Sequence, residues 1–268
     1  MLGLGNSLQK TGLKKLRPGI VTSGLVLKQN YDTGAVVPIS DGAASFDGSA
    51  AINTGEEFKS TIAAGNLSVA FWLGNSEGSD ASGNRFLFGA KDSASENQFY
   101  IAYTSSGTLL CRMEGNNDPD TMSGSHVLLP NHPWTHIAAT FALGESAGGD
   151  GKVYVNGVLD GDASLSGVSK TNWNLYDSSS NVFIGAMSNA GSITSATDGY
   201  MCNVGIWSEV LDVNQIKSIM YKNYAGLNGS ETTNLVSWWG LGEETATDGT
   251  AGTGGVKDYH GTNHGTLI

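Results

Sequence analysis

Asn156-Gly157 lies directly between Lys152-Val153-Tyr154-Val155 and Val158-Leu159. A two-residue hairpin turn of type I′ needs positive φ at both central positions, and Asn-Gly meets that need at the least steric cost. Upstream, Thr135, Ile137, Ala139 and Phe141 alternate with His136, Ala138 and Thr140. That is the period-two pattern of a strand with one buried face. A glycine-rich loop over 144–151 separates the two features. Residues 133–162 therefore predict strand, loop, strand, tight turn, strand.

The rest of the chain follows the same pattern. Leu25-Val26-Leu27 and Gly42 to Ile52 predict opening strands. Asn66 to Leu73 predicts a core strand with Leu67, Val69, Phe71 and Leu73 on one face. Arg85 to Phe88, Phe99 to Thr104, Leu109 to Met113, Ser125 to Leu129, Val182 to Gly185 and Met201 to Trp207 supply more. With 38 glycines against five prolines and only 15% charged residues in 268, the chain suits many short strands joined by glycine turns. One helix is predicted after Leu211: Asp212 caps it, Gln215 completes a capping box, and Leu211 and Ile216 form a hydrophobic staple. Cys111 and Cys202 lie in apolar strand-like runs and are expected to be buried free thiols.

Together the strand around Trp134-Thr135-His136-Ile137-Ala138, the glycine-rich gap and Val153-Tyr154-Val155-Asn156-Gly157 resemble the laminin-G-like, concanavalin A-like lectin jelly roll. Ala44-Ser45-Phe46-Asp47-Gly48 and Asp198-Gly199-Tyr200 through Leu211 extend that resemblance over most of the chain. It implies an all-β, two-sheet antiparallel jelly-roll sandwich with one short helix. Members of that fold include lectins, glycosidases, adhesins and structural modules, so fold alone does not fix the activity. Glycosidases of this fold often carry Glu-x-Asp-x-x-Glu on one strand, and no Glu-x-Asp occurs here. Gly74-Asn75-Ser76-Glu77-Gly78 matches the nucleophile-elbow pattern, but it lacks the strand-to-helix setting that makes such a serine reactive. His126, His132, His136, His260 and His264 have no metal spacing. The expectation is no enzyme and no catalytic residue.

The resemblance also implies a calcium site, with an aspartate three residues after the position of Gly199. Cys202 stands there instead, a soft ligand that calcium does not favour. Asp47 and Asp198 remain as oxygen candidates, each also suited to a turn. Asn116, Asp118 and Asp120 alternate in a predicted loop without the glycine and distal glutamate of a calcium loop. No cofactor is otherwise expected. For carbohydrate, Trp173 and Tyr176 in an Asn-rich loop are the stacking candidates, against the alternative that both are core.

Three segments are expected: a basic N-terminal docking arm over 1–24, the jelly roll over 25–225, and a linker with a C-terminal partial repeat over 226–268. In the arm, Lys10, Lys14, Lys15 and Arg17 are unopposed; removing them from the net charge of −11 leaves −15 on the remainder. That balance argues against a nucleic-acid partner, and no apolar run long enough to span a membrane is present. Leu235 to Leu241 and Val256 to Leu267 resemble the opening strands of the same jelly roll, so the tail is expected to be ordered β structure. It completes the sandwich, packs on it or pairs with a neighbour. The Met1 to Leu8 opening and the lack of a secretion signal resemble tailed-phage virion proteins. The leading expectation is a non-enzymatic virion component, capsid decoration or fibre, docked to capsid proteins through the arm and oligomeric. The competing one is an adhesin that binds host surface polysaccharide.

Overall fold

The computed structural model describes residues 38–91, 98–115, 118–146, 148–171, 180–242 and 255–268. The expected strand at Leu25 to Leu27, the basic arm and Asn116 lie outside these residues. From the start of the described chain come β1 (Ala44–Asp47), β2 (Ile52–Asn53), α1 (Lys59–Ala63), β3 (Asn66–Gly74), β4 (Arg85–Lys91), β5 (Gln98–Tyr103) and β6 (Thr108–Gly115). Then follow β7 (Asp118–Val127), β8 (Thr135–Leu143), β9 (Gly149–Val155), β10 (Val158–Ser164), β11 (Phe183–Ile184), β12 (Met187–Asn189), β13 (Ser192–Thr194) and β14 (Asp198–Trp207). The chain ends with α2 (Val213–Ile219), α3 (Gly229–Thr232), β15 (Leu235–Trp239), β16 (Gly255–Val256) and β17 (Gly265–Leu267).

The strands form two sheets. The first runs β1-β14-β3-β8-β9-β10, with β15 also paired to β14; the second runs β16-β17-β2-β11-β4-β5-β6-β7, with the β12–β13 hairpin joined to β4. Among the described residues every strand pairing is antiparallel except that of β12 with β4. Leu67, Val69, Phe71 and Leu73 of β3 meet Phe88, Phe99, Ile101 and Leu109 of the other sheet in one large core cluster. This is the expected all-β sandwich. The hairpin turn is as expected, with φ of 49° at Asn156 and 72° at Gly157. Both cysteines are buried and free, and burial pushes the Cys202 thiol up to about 12. Among the described residues no helix is long and apolar enough to cross a membrane.

α2 forms where its capping box predicts. The Asp212 side chain accepts from the Asn214 and Gln215 amides, and the Gln215 side chain accepts from the Asp212 amide. Its Ile216 and Ile219 cover Ala70, Ala138 and Tyr154 on the outer face of the first sheet. That covering corrects the expectation of one buried face in β8. His136 and Thr140 are as buried as Ile137, because the helix caps the side that period-two alternation assigns to water.

Four further differences concern individual segments. Thr135 to Phe141 extends to Leu143, and β9 begins at Gly149, so the glycine loop is shorter than expected. Asp118 and Asp120 lie in a strand rather than a loop; Asp120 is buried because its Oδ2 accepts the Gly167 and Val168 amides at 2.8 and 2.9 Å. α1 is preceded by Phe58, which has φ of 55° and gives no side-chain cap, so no sequence signal announces the helix. The expected linker at the start of 226–268 instead contains α3, closed by a capping box between Asn228 and Glu231. The Glu231 carboxylate is 4% exposed and accepts from Lys222 Nζ at 2.6 Å and Ser218 Oγ at 2.6 Å. Its backbone carbonyl accepts from Trp207 Nε1 at 2.8 Å.

The tail joins both sheets of the same chain. β1 pairs with residues 198–201 of β14 and β15 with residues 204–207, so the two lie end to end along one edge of β14. Asn203, with φ of 51°, marks the changeover and donates its amide to the Gly240 carbonyl. β17 pairs with β2, which places the remaining tail strands on the second sheet at the same end of the sandwich.

Candidate functional site

β3 ends at Gly74, β8 begins at Thr135 and β14 begins at Asp198, on three neighbouring strands. In register Tyr200 faces Gly74, and Leu73 faces Thr135, which sets Trp134 beside Gly74 on the other side. Strand alternation puts Tyr200, Gly74 and Trp134 on the outer face. Gly74 permits this arrangement by having no side chain: a Cβ there would lie 2.9 Å from Cδ2 of the Trp134 indole. The indole therefore lies over the glycine, half-buried, while Tyr200 stands 41% exposed across from it.

Beneath Trp134 the outer face is packed solid. Trp72, Cys202 and Met220 form a buried cluster against which Trp134 rests. Trp72 donates from Nε1 to the Met220 carbonyl at 3.2 Å and meets the His136 ring edge-on at 5.3 Å. Burial without a charge partner pushes His136 down to about 3, so that ring is neutral.

Two loops close the cleft. The Asn75 amide donates to the His132 carbonyl at 3.0 Å, and the Asn131 amide to the Ser76 carbonyl at 2.9 Å. His132 Nδ1 lies 2.8 Å from the Pro133 carbonyl, which can only accept, so Nδ1 carries the proton. Nε2 then accepts from Ser76 Oγ at 2.8 Å. Burial lowers the His132 pKa, which holds the ring neutral. Ser76 is 1% exposed, so its hydroxyl has no open side and the pair serves to tie the loops together. The Gly-Asn-Ser-Glu-Gly pattern is thus a latch, followed by a single 3-10 turn at Gly78–Asp80 rather than a long helix.

The result is a cleft of about 450 Å³ lined by Asn75, Asn131, His132, Trp134 and Tyr200 on a Gly74 floor. Asn75 and Asn131 both adopt the left-handed region, with φ of 53° and 54°, and both are exposed. An aromatic platform with a second aromatic at its side and amides at the rim suits a ligand with a flat apolar face and hydroxyl edges.

Other candidate residues fall elsewhere. Trp173 and Tyr176 lie outside the described residues, as do Lys10, Lys14, Lys15 and Arg17. Asp47 and Asp198 are register partners across β1 and β14. The Asp47 Oδ1 accepts from the Ser49 amide and hydroxyl at 2.9 and 2.7 Å and from the Ala50 amide at 3.2 Å, which holds its carboxyl below the usual range. Those bonds make it a turn cap. Cys202, at the position of the family aspartate, is buried against Trp72. Among the described residues no three His, Cys, Asp or Glu side chains converge. These donors do not fit a calcium ion. Trp134 and Tyr200 escaped the sequence reading because only sheet register brings them together; the signal available was a glycine at the end of the strand between them.

The Laminin_G_3 family of the concanavalin A-like lectin/glucanases superfamily matches residues 46–217, more than half of the chain. The chain belongs to that superfamily. No curated protein sequence matches it. Among solved structures, this concanavalin A-like chain resembles the CBM40 of the Ruminococcus gnavus IT-sialidase bound to α2,3-sialyllactose. The identity is 13% and the TM-score 0.51, over 68% of this chain and 99% of that one. It also resembles the leech intramolecular trans-sialidase, at 17% identity and a TM-score of 0.53, over 67% of this chain and 27% of that one. At such identities the likeness concerns the fold.

Proposed function

We propose that this concanavalin A-like protein is a non-enzymatic glycan-binding module whose ligand lies in the cleft between Trp134 and Tyr200. The carrying observation is the row Tyr200–Gly74–Trp134, two partly exposed aromatics separated by the one residue that leaves room between them. The fold supports the reading at the level of class, since the superfamily is lectin-like. Neither the Asn75 nor the Asn131 side-chain amide bonds to another described residue, so each has a donor and an acceptor to offer to sugar hydroxyls. A glycan array followed by titration with the best ligand tests the site. Tyr200→Ala removes an exposed ring, and Gly74→Ala pushes the indole off its floor; both are expected to weaken binding at least about tenfold, a loss of roughly 1.4 kcal/mol. Affinity unchanged in both variants rejects the site.

The unopposed charges of Lys10, Lys14, Lys15 and Arg17 support a second element of the reading. They suit an arm that docks the acidic body on a larger assembly, a virion in the sense of the sequence resemblance. In that arrangement the arm anchors and the cleft recognises.

A further inference from the structure

We infer that the cleft takes an uncharged sugar residue rather than a sialic, uronic or sulfated one, an inference that rests on the glycan-binding reading above. An anionic sugar is ordinarily held by a cation, best by the fork of an arginine. Among the described residues no lysine or arginine lines this cleft. Among the described lining residues the one titratable nitrogen-bearing side chain is His132, and both its ring nitrogens are committed inside the protein, Nε2 to Ser76 and Nδ1 to the Pro133 carbonyl. The ring is therefore uncharged and has no N–H left for a carboxylate. The arginine nearest along the chain to β3 is Arg85, and Glu77 already holds it at 2.5 Å.

The field of the protein acts in the same direction. Apart from residues 1–24 the chain carries −15, and Asp198 sits two residues before Tyr200 on the same strand. A negative ligand would approach against that potential and then lose hydration beside an indole, with nothing to replace the lost water. A neutral pyranose meets neither cost. Its axial-hydrogen face stacks on Trp134, and its hydroxyl pairs match the donor-plus-acceptor character of the Asn75 and Asn131 amides.

The test compares matched oligosaccharides on the full chain: galactose-, glucose- or N-acetylhexosamine-terminated chains against the same cores capped with sialic acid, glucuronic acid or sulfate. Binding is measured by titration for the natural protein, Tyr200→Ala and Gly74→Ala. The expected result is a preference of at least about tenfold for an uncharged terminus, lost in both variants. Affinity should also change less than about twofold between roughly 50 and 500 mM salt, as for a complex without an ion pair. Tighter binding of an anionic terminus, still lost in Tyr200→Ala, overturns the uncharged class and leaves the glycan site standing. Binding of no glycan, or binding indifferent to both variants, overturns the glycan site and the sugar class with it.

Discussion

Ending the chain at Asn234 should cost the sandwich much of its stability, because the removed strands help to cover side chains that are fully buried in the intact chain. Trp239 meets Phe58 edge-on at 6.2 Å, and Trp238 meets Trp207 edge-on at 6.0 Å. Trp239 also lies opposite Val204, and Leu267 opposite Ile52, across the two sheet edges. Phe58, Trp207, Val204 and Ile52 are each at most 1% exposed in the intact chain. Burying such a side chain fully is worth about 1.5–3 kcal/mol, so uncovering each by half forfeits roughly 3–6 kcal/mol over the four. A domain has only about 5–15 kcal/mol to lose. Two sheet edges are opened as well, one on β14 and one on β2, which invites association. In thermal unfolding followed by circular dichroism, the shortened chain should melt at least about 6 °C lower than the full chain or aggregate before melting. A peptide of residues 235–268 added in trans should restore part of the difference in a concentration-dependent way. A shortened chain that stays monomeric and melts within about 3 °C of the full one would refute the argument, since the tail would then be an ornament on a complete sandwich.

Glu231→Gln should remove about 2–3 kcal/mol, or about 5–10 °C, by leaving Lys222 without its carboxylate; the charge pair is one-sidedly buried, with Glu231 at 4% and Lys222 at 25% exposure. Burial by itself would raise the Glu231 pKa, but Lys222, Ser218 and the Asn228 amide outweigh it and hold the carboxyl below its ordinary value. A depressed folded pKa means that the stabilisation is complete above the unfolded value near 4.5 and fades as pH falls through the folded one, so melting curves of the two proteins should converge in acid. A gap that persists unchanged to low pH rejects the ion pair as its cause. If the proposed arm docks the protein on an assembly, a chain beginning at Gly24 should keep its melting temperature and glycan affinity yet no longer co-sediment with any assembly that binds the full chain; undiminished co-sedimentation rejects docking through Lys10, Lys14, Lys15 and Arg17.

What was legible in the sequence was whatever a few adjacent residues decide among themselves. Asn156-Gly157 had to be a hairpin turn, because both residues must take positive φ, and they do. Asp212 and Gln215 had to begin a helix, because each satisfies the other's amide. The same logic was available at Asn228 and Glu231, where the capping pattern lies in a polar run that reads as linker. Asp120 was misread for the opposite reason. Asn-Asn-Asp-Pro-Asp is turn-like in isolation, yet its aspartate is held in a strand by amides at Gly167 and Val168, far along the chain. The burial of His136 was equally invisible, since it depends on a helix laid over the strand from another part of the sequence. The cleft belongs with these cases. Aromatics close together in one segment, such as Trp173 and Tyr176, draw attention in a sequence, whereas Trp134 and Tyr200 become neighbours only through the register of β8, β3 and β14.

The position of the cleft follows from how far α2 reaches. On the outer face of the first sheet an apolar strip runs from Ala70 and Ala138 through Trp72 and Cys202 to Trp134 and Tyr200, with His136 set among them. The helix and Met220 after it bury the first part of that strip, and Trp134 and Tyr200 emerge past its end. An apolar end left in water is a liability for association unless it is small and edged with polar groups. Asn75 and Asn131 provide such an edge here, with the exposed Pro133 between the histidine latch and the indole. The strip also makes the platform rigid: Trp134 rests on Trp72, Cys202 and Met220, and the loops beside it are pinned by Ser76 on His132. A ligand that stacks there has little side-chain ordering left to impose, which is the condition under which a few hydroxyl contacts and one ring face can sustain useful affinity.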